Sequence, residues 1–261
     1  MDSWDVKGAI RAGWDAMSPS YQADSHIALD DVHYAPFAPG ERFYRLMGDV
    51  SGKRILELAC GGAQNSIALA RWGAEVVALD FSPKQLGYAM SLRRHSGVGF
   101  ELVTGDMESP TMFRPASFDV VVSSFGWEFI PDLKGCLEHC AEILRPDGQL
   151  VMSTVHPLSA FDWNVAARSL NVTDYFNLPV EVWEDPVPEG HSPGLTFFRT
   201  IEELVSSVID AGLTIEGLIE PYPIGMPDDP RSPYAGRYWA DHWERLTRVP
   251  FAVVISARKV V

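Results

Sequence analysis

The sequence predicts an α/β fold in which helices cover both faces of a mostly parallel β-sheet. Short apolar runs, which indicate buried strands, alternate along much of the chain with longer segments of helical periodicity. The first such unit runs from residue 53 to Asp80 and contains a strand, a Gly61-Gly62 turn, a helix and a second strand. This order is typical of a right-handed crossover unit, whose ligand site lies at the carboxyl ends of its strands.

Residues 1–52 precede the first strand, and we interpret them as a helical cap. Apolar residues at helical spacing predict a helix over about residues 3–17, which Ser18-Pro19 should end. A second short helix is expected over residues 21–31. The domain that follows should then extend over residues 53–261.

A further helix should begin after Pro39-Gly40 and carry Phe43, Leu46 and Met47 inward. The cap either covers the ligand or straps the sheet through apolar contacts, and for any single residue the strap is favoured. The polar aromatic residues that could reach the ligand are Tyr21, His33 and Tyr34.

The turn after the first strand indicates a particular ligand chemistry. Gly61 and Gly62 let the backbone approach a ligand closely, and the following helix N-terminus offers free N–H groups. Asp80 can accept hydrogen bonds from the two adjacent hydroxyls of a ribose. Glu57, at the end of the first strand, would repel a pyrophosphate and attract a cationic group. S-adenosylmethionine has this character, because it carries a ribose, an ammonium and a sulfonium but no phosphate.

Residues 53 to about 156 resemble the core of class I S-adenosylmethionine-dependent methyltransferases, in the small-molecule, type 11 group near the quinone-biosynthesis methyltransferases. The first motif of that family, an acidic residue followed by alternating glycines, stands here as residues 57–63, ELACGGA. Two of its usual glycine positions are Ala59 and Ala63. A helix that ends in Leu-x-Pro-x-Gly before a strand, here residues 144–148, is also typical of the family.

The resemblance implies a Rossmann-like sheet of seven strands in the order 3-2-1-4-5-7-6, with the last strand antiparallel. It also implies that the Asp106 carboxylate holds the exocyclic amine of adenine and that Met107 supplies a backbone N–H. The cofactor-binding residues that it implies are Glu57, Ala59, Gly61, Asp80, Phe81, Asp106, Met107, Ser123 and Tyr21.

The remaining elements of the core follow from capping and periodicity. Ser82-Pro83 should begin a helix that extends to about residue 94, and Pro131 a long helix. Cys136 and Cys140 lie four apart on that helix without a second ligand pair, so we expect core packing rather than a zinc site. The predicted third, fourth, sixth and seventh strands cover residues 98–103, 118–124, 213–219 and 249–257, and a capped helix covers 200–211. The fifth strand should follow the turn that begins at Leu144 and end at Val155.

Residues 157–199 depart from the pattern of the core. Aromatic side chains crowd this stretch, and its prolines should exclude long regular structure; they stand at positions 157, 179, 186, 188 and 193. We interpret the stretch as an insertion that folds over the active site as a lid. The alternative is a satellite cluster packed on the edge of the sheet.

The composition argues against several classes of partner. The formal net charge is −14, with 35 acidic and 21 basic residues, so the chain lacks the basic surface that nucleic-acid binding needs. No apolar run approaches the length of a membrane span, and the acidic start MDSWDVKG does not have the character of a signal peptide. Three cysteines fit a reducing cytoplasm. We expect a monomer or homodimer that acts on a small molecule.

Methyl transfer from a sulfonium needs no acid, but a hydroxyl or protonated amine acceptor needs a base. His156 is the first candidate, because it should follow the fifth strand at the ligand-binding edge and Pro157 fixes it in extended geometry. A histidine that simply satisfies a backbone carbonyl is the alternative. Glu128 and Tyr21 are further candidates, and a neutral amine or stabilised carbanion needs no base.

Two other function classes share parts of this pattern. A nicotinamide-dependent oxidoreductase needs Gly-x-Gly-x-x-Gly, which this chain lacks, and the sequence shows no Tyr-x-x-x-Lys set for hydride transfer. A non-catalytic module that binds S-adenosylmethionine and regulates a partner stays open, and a deep apolar acceptor pocket would argue against it. We expect O-, N- or C-methylation of a small apolar or aromatic metabolite.

Overall fold

The computed structural model describes residues 5–109, 111–187, 190–229 and 231–260. Its strands are β1 (Arg54–Leu58), β2 (Glu75–Asp80), β3 (Glu101–Thr104), β4 (Phe118–Ser124), β5 (Leu144–Val155), β6 (Trp163–Asn164), β7 (Ser169–Leu170), β8 (Val180–Val187), β9 (Gly190–Phe197), β10 (Leu213–Ile219) and β11 (Ala252–Lys259). Its helices are α1 (Val6–Asp24), α2 (Glu41–Tyr44), α3 (Gln64–Arg71), α4 (Pro83–Ser96), α5 (Leu133–Ile143), α6 (Ile201–Asp210), α7 (Arg237–Asp241) and α8 (Trp243–Leu246). None of these helices is long and apolar enough to cross a membrane.

The central sheet has the strand order β10-β11-β5-β4-β1-β2-β3, which confirms the predicted order 3-2-1-4-5-7-6. Strands β1 to β5 pair in parallel, and β11 pairs antiparallel with both β5 and β10. Strand β11 therefore lies inside the sheet, between the two strands it pairs with. The parallel strands bring the carboxyl ends of β1, β2 and β4 to one edge, where the ligand site was predicted.

The sheet is buried on both faces because its central strands are apolar without alternation. Along β1, Ile55 packs in the same core cluster as Ile67 of α3, whereas Leu56 packs with Leu137 of α5. The α5 side also contains Cys136 and Cys140, both fully buried, which confirms that they pack in the core. Burying both faces fixes the position of β1 and hence of the turn that follows it.

The N-terminal segment differs from the prediction. Helix α1 continues through Ser18 and Pro19 to Asp24, because a proline removes only its own N–H from the helical hydrogen bonds while the turns on either side remain. No helix covers residues 25–31. Helix α2 ends at Tyr44, because the next residue, Arg45, adopts a left-handed conformation. Met47 is buried as predicted, but the Phe43 side chain is 71% exposed.

The segment 157–199 contains more regular structure than expected. After a short 3-10 turn (Pro157–Ala160) and the pair β6–β7, strands β8 and β9 form an antiparallel hairpin that includes Pro186 and Pro193. Each strand of a two-stranded ribbon has an unpaired edge, where a residue without an N–H is tolerated. The hairpin packs against α1, and Pro188 lies outside the described residues.

Candidate active site

A cavity of about 710 Å³ opens at the carboxyl ends of β1, β2 and β4. Four parts of the chain contribute most of its lining: the loops after these strands, helix α1, the segment from Val155 to Phe198, and the segment from Tyr234 to Phe251. One end of the cavity lies against the turn after β1, and the other is lined by aromatic side chains. The cavity therefore has two chemically different regions.

The turn after β1 keeps a tight geometry although alanines replace two of the usual glycines. Ala59, Gly61 and Ala63 all adopt left-handed backbone conformations, with φ of 50°, 53° and 59°. An alanine in this region costs roughly 1 kcal/mol relative to glycine. The Ala59 methyl also approaches Gly126, where an added Cβ would lie 2.6 Å from it, so position 126 accepts only glycine.

Glu57 and Asp80 place two buried carboxyl groups beside this turn. Burial raises the pKa of Glu57 to about 7, although the Ser66 hydroxyl donates to its Oε2. Burial likewise raises the pKa of Asp80 to about 6, although Gly61 N donates to its Oδ2 and Ser82 N to its Oδ1, both at 2.8 Å. Cationic groups or hydroxyl donors would stabilise both carboxylates.

Helix α1 covers the same end of the cavity through polar contacts. Gln64 Nε2 donates to Gln22 Oε1, and Gln22 Nε2 donates to Gln85 Oε1, each at 2.8 Å. Nearer the start of α1, Lys7 Nζ lies 2.6 Å from Asp106 Oδ2 and also contacts the Glu108 carboxylate. Apart from Asp106, these residues were not predicted from the sequence, because a polar side chain on a helix gives no signal until its partners are known.

Aromatic rings line the other region of the cavity. The ring of Trp14 packs edge-on against Tyr21 and Phe129, with centroids 5.5 and 5.2 Å away. The Tyr21 and Tyr234 hydroxyls lie 2.6 Å apart, and Tyr234 packs edge-on against Trp239 with centroids 5.9 Å apart. Such surfaces bind flat or apolar groups. No local pattern in the sequence distinguishes Tyr234 from its neighbours.

Glu128 brings a carboxyl group into this apolar region. It follows β4 in a 3-10 turn (Trp127–Phe129), lines the cavity and is only 2% exposed. Burial raises its pKa to about 7, while Thr154 Oγ1, which donates to Glu128 Oε2 at 3.0 Å, opposes the increase. A carboxyl group with a pKa near neutrality can accept a proton from a bound acceptor.

His156 does not line the cavity, which argues against the sequence-based assignment of this residue as a base. Its Nδ1 accepts a hydrogen bond from Leu158 N at 3.1 Å, and its Nε2 lies 3.0 Å from Glu220 Oε1. Both ring nitrogens therefore have partners outside the cavity. Pro157 does extend the backbone at His156, as expected, but the imidazole caps the turn that follows.

The cavity brings together most of the predicted site residues. Ser123 is the exception among the cofactor candidates, because its side chain is fully buried and the cavity wall is formed by Ser124 instead. Neighbouring side chains of a β-strand point to opposite faces of the sheet. An error of one position in the prediction therefore selects a residue whose side chain faces away from the site. The predicted residues that line the cavity are Tyr21, Glu57, Ala59, Gly61, Asp80, Phe81, Asp106, Met107 and Glu128.

Parts of the chain are similar in sequence to known proteins. A family model described as a methyltransferase domain matches residues 56–152. A ubiquinone biosynthesis O-methyltransferase of Xylella fastidiosa strain 9a5c is 35% identical over 166 residues, which cover 58% of this chain and 68% of that protein. A protein of the same name from Xanthomonas euvesicatoria pv. vesicatoria strain 85-10 is 33% identical over 108 residues, or 41% of this chain and 45% of that protein.

The chain thus spans about two thirds of one of these relatives and less than half of the other. Among solved structures, an S-adenosylmethionine-dependent methyltransferase from Mesorhizobium loti superposes with a TM-score of 0.62 and 22% sequence identity. That superposition covers 82% of this chain and 94% of the other. At this identity the likeness shows a shared fold.

Proposed function

This chain belongs to the class I S-adenosylmethionine-dependent methyltransferases, and we propose that it methylates a hydroxyl group of a small, largely apolar or aromatic acceptor. The names of the two relatives, which are O-methyltransferases, support transfer to oxygen. The observation that carries the proposal is Glu128, a buried carboxyl group in the aromatic region of the cavity that also contains the first family motif.

S-adenosylmethionine fits the region around the turn after β1. Glu57 would face its cationic end, and each Asp80 oxygen, which already accepts one backbone N–H, can accept a second hydrogen bond from a ribose hydroxyl. Replacing Asp80 by Ala should weaken binding by about 2 kcal/mol, the scale of lost hydrogen bonds to a charged group. Tight binding of NAD in calorimetry, or an unchanged affinity of the Asp80→Ala variant, would contradict this assignment.

The aromatic region supports an acceptor that is flat or apolar. Aromatic side chains outside the motif, among them Phe129 and Phe251, line the same cavity, which argues against a module that only binds S-adenosylmethionine. Acidic residues line the same cavity, among them Asp162 and Glu181. Together with the net charge of −14, they disfavour phosphorylated acceptors by repulsion.

In the proposed reaction, the region around the turn after β1 binds S-adenosylmethionine and the aromatic region binds the acceptor. When bound, S-adenosylmethionine would supply a methyl group on a sulfonium; the acceptor oxygen gains the methyl as the S–CH3 bond breaks, and the sulfur leaves as a neutral thioether, which is an excellent leaving group. The aromatic walls orient the acceptor and exclude water. Glu128, as the carboxylate, takes the proton that the acceptor hydroxyl loses, and Thr154 holds that carboxylate in place.

A screen with methyl-labelled S-adenosylmethionine tests the proposal. Phenols, aliphatic alcohols, amines and isoprenoid acceptors are offered in parallel, and we expect label transfer to a neutral phenol or alcohol. Glu41→Gln is a matched control for Glu128→Gln, because Glu41 is also buried and its pKa is also raised by burial, but it lies outside the cavity. Transfer only to amines, or to a nucleotide or RNA, would overturn the proposal.

A further inference from the structure

Arg199 binds the turn that carries Glu128. This residue lies two positions after the end of β9, and its guanidinium donates to several main-chain carbonyl groups. Nη1 donates to Trp127 O at 3.0 Å, and Nη2 donates to Ile130 O and, at 3.3 Å, to Pro131 O. Three carbonyl groups that bracket Glu128 in sequence are thus held by one side chain.

The same guanidinium also reaches back to the hairpin. Nη1 donates to Phe197 O at 3.2 Å, and Cζ lies 5.8 Å from the centroid of the Phe197 ring. Phe197 is the last residue of β9, so the end of the β8–β9 hairpin and the turn with Glu128 share one anchor. A planar guanidinium can hold this fan of acceptors because its N–H groups point in fixed directions, whereas an ammonium cannot.

We propose that Arg199 is a positioning residue for Glu128: it fixes the turn at residues 127–131 so that the carboxyl group projects into the cavity, and its positive charge stabilises the ionised carboxylate. The inference rests on the proposed role of Glu128 as proton acceptor. Arg199 itself does not line the cavity, so it acts through Glu128 and does not touch the acceptor.

The electrostatics around Glu128 agree with this geometry. Burial raises the pKa of Glu128, and the Thr154 hydroxyl and the Arg199 charge oppose that increase. The other groups that face it are the hydroxyls of Tyr21 and Tyr234, whose own pKa values are raised by burial and further by the Glu128 charge. Arg199 is therefore the cation that supports the charged form of Glu128 within the described surroundings, and its loss should raise the pKa of Glu128 further.

The test compares Arg199→Gln and Arg199→Lys with a matched control, Arg93→Gln. Arg93 makes the same pair of contacts elsewhere, since Nη1 donates to Phe100 O at 2.6 Å and Cζ lies 5.6 Å from the Phe100 ring. Two quantities are measured: the carboxyl titration of Glu128 by infrared difference spectroscopy against Glu128→Gln, and the pH profile of kcat/KM for the acceptor at saturating S-adenosylmethionine.

In Arg199→Gln, we expect the titration and the acidic limb of the rate profile to move up together by about half a pH unit or more. Arg199→Lys should leave the pH of the acidic limb unchanged, because the positive charge remains. Its plateau rate should fall several-fold, because an ammonium cannot make the same set of hydrogen bonds to the main-chain carbonyl groups. Arg93→Gln should change neither. An unshifted titration in Arg199→Gln would overturn the inference, and if that variant does not fold, an unchanged plateau rate in Arg199→Lys would do so.

The two proposals fail in distinguishable ways. If Glu128→Gln retains full activity while Arg199→Gln still shifts the titration of Glu128, the proposed base is wrong and the positioning role of Arg199 stands. If Glu128→Gln is inactive and Arg199→Gln leaves both the titration and the rate profile unchanged, the base stands and the role of Arg199 is wrong.

Discussion

The hydroxyl oxygens of Tyr21 and Tyr234 lie 2.6 Å apart, although 213 positions separate the two residues. This hydrogen bond joins α1 to the C-terminal segment over the aromatic region of the cavity. His26 N also donates to Ala235 O at 2.7 Å, and Asp24 accepts from the main chain at the start of α7. The two distant ends of the chain thus close one side of the candidate acceptor site together.

The hydrogen bond between Tyr21 and Tyr234 should stabilise α1 and the C-terminal segment against each other, and it should thereby favour acceptor binding. Tyr21→Phe and Tyr234→Phe should each raise the acceptor KM several-fold, and the double variant should show a coupling free energy of about 1 kcal/mol in thermal unfolding. Tyr222→Phe is the control, because that side chain is 63% exposed and does not line the cavity. Additive single effects on unfolding would show that the hydrogen bond does not hold the walls together.

Binding of S-adenosylmethionine should release protons. Burial raises the pKa of Glu57 to about 7, so ligand-free molecules with and without a proton on this group coexist near neutral pH. A cationic ligand favours the carboxylate, so binding should displace a measurable fraction of a proton per site at that pH. Calorimetry in buffers of different ionisation enthalpy measures this number, and Glu57→Gln should lower it. A proton release that is zero, or unchanged in Glu57→Gln, would place the cationic end elsewhere.

His156 should prove to be structural. His156→Ala is expected to change kcat and KM less than about threefold and to lower the melting temperature, because the imidazole joins the turn after β5 to Glu220 outside the cavity. Burial lowers its pKa, and the Glu220 carboxylate opposes that decrease. A loss of about a hundredfold in kcat with an unchanged affinity for S-adenosylmethionine would restore His156 as the base.

Local signals predicted the sheet and the position of the turn after β1, whereas long-range contacts determined the rest of the cavity. Glu57 and Asp80 could be placed beside this turn because the strand end, the glycine turn and the helix start lie close together in the sequence. The orientation of the His156 side chain could not be predicted, because it depends on the contact between its imidazole and Glu220. Glu220 lies 64 positions further along the chain, in a segment without local signals. The contact of Tyr234 with Tyr21 and that of Arg199 with the turn at Trp127 join residues that are far apart in the sequence, so no local pattern predicts them.

The same distinction explains the errors in secondary structure. Pro19 and the prolines of the β8–β9 hairpin indicated breaks, but each proline removes a single donor and the neighbouring hydrogen bonds persist. The strand order was predictable because the crossover connections of parallel strands follow general rules of handedness. The proposed lid has no such rule, so its role requires an experiment.

Replacing residues 165–195 by a short flexible linker tests the proposed lid. If this segment encloses the acceptor, the variant should lose acceptor turnover while S-adenosylmethionine binding remains measurable by calorimetry. Circular dichroism establishes that the shortened chain is folded. A folded variant with full turnover would show that the segment is a satellite of the core.

The pH dependence of kcat/KM for the acceptor, measured at saturating S-adenosylmethionine so that Glu57 is already occupied, tests the central claim most directly when the native chain is compared with Glu128→Gln. Since the proton acceptor must be ionised, the rate should rise with pH through a limb near pH 7, where burial places the pKa of Glu128. Glu128→Gln should lose at least about a hundredfold in kcat and lose that limb, with its affinity for S-adenosylmethionine unchanged. A Glu128→Gln variant that keeps both the native rate and the limb near pH 7 would contradict the account.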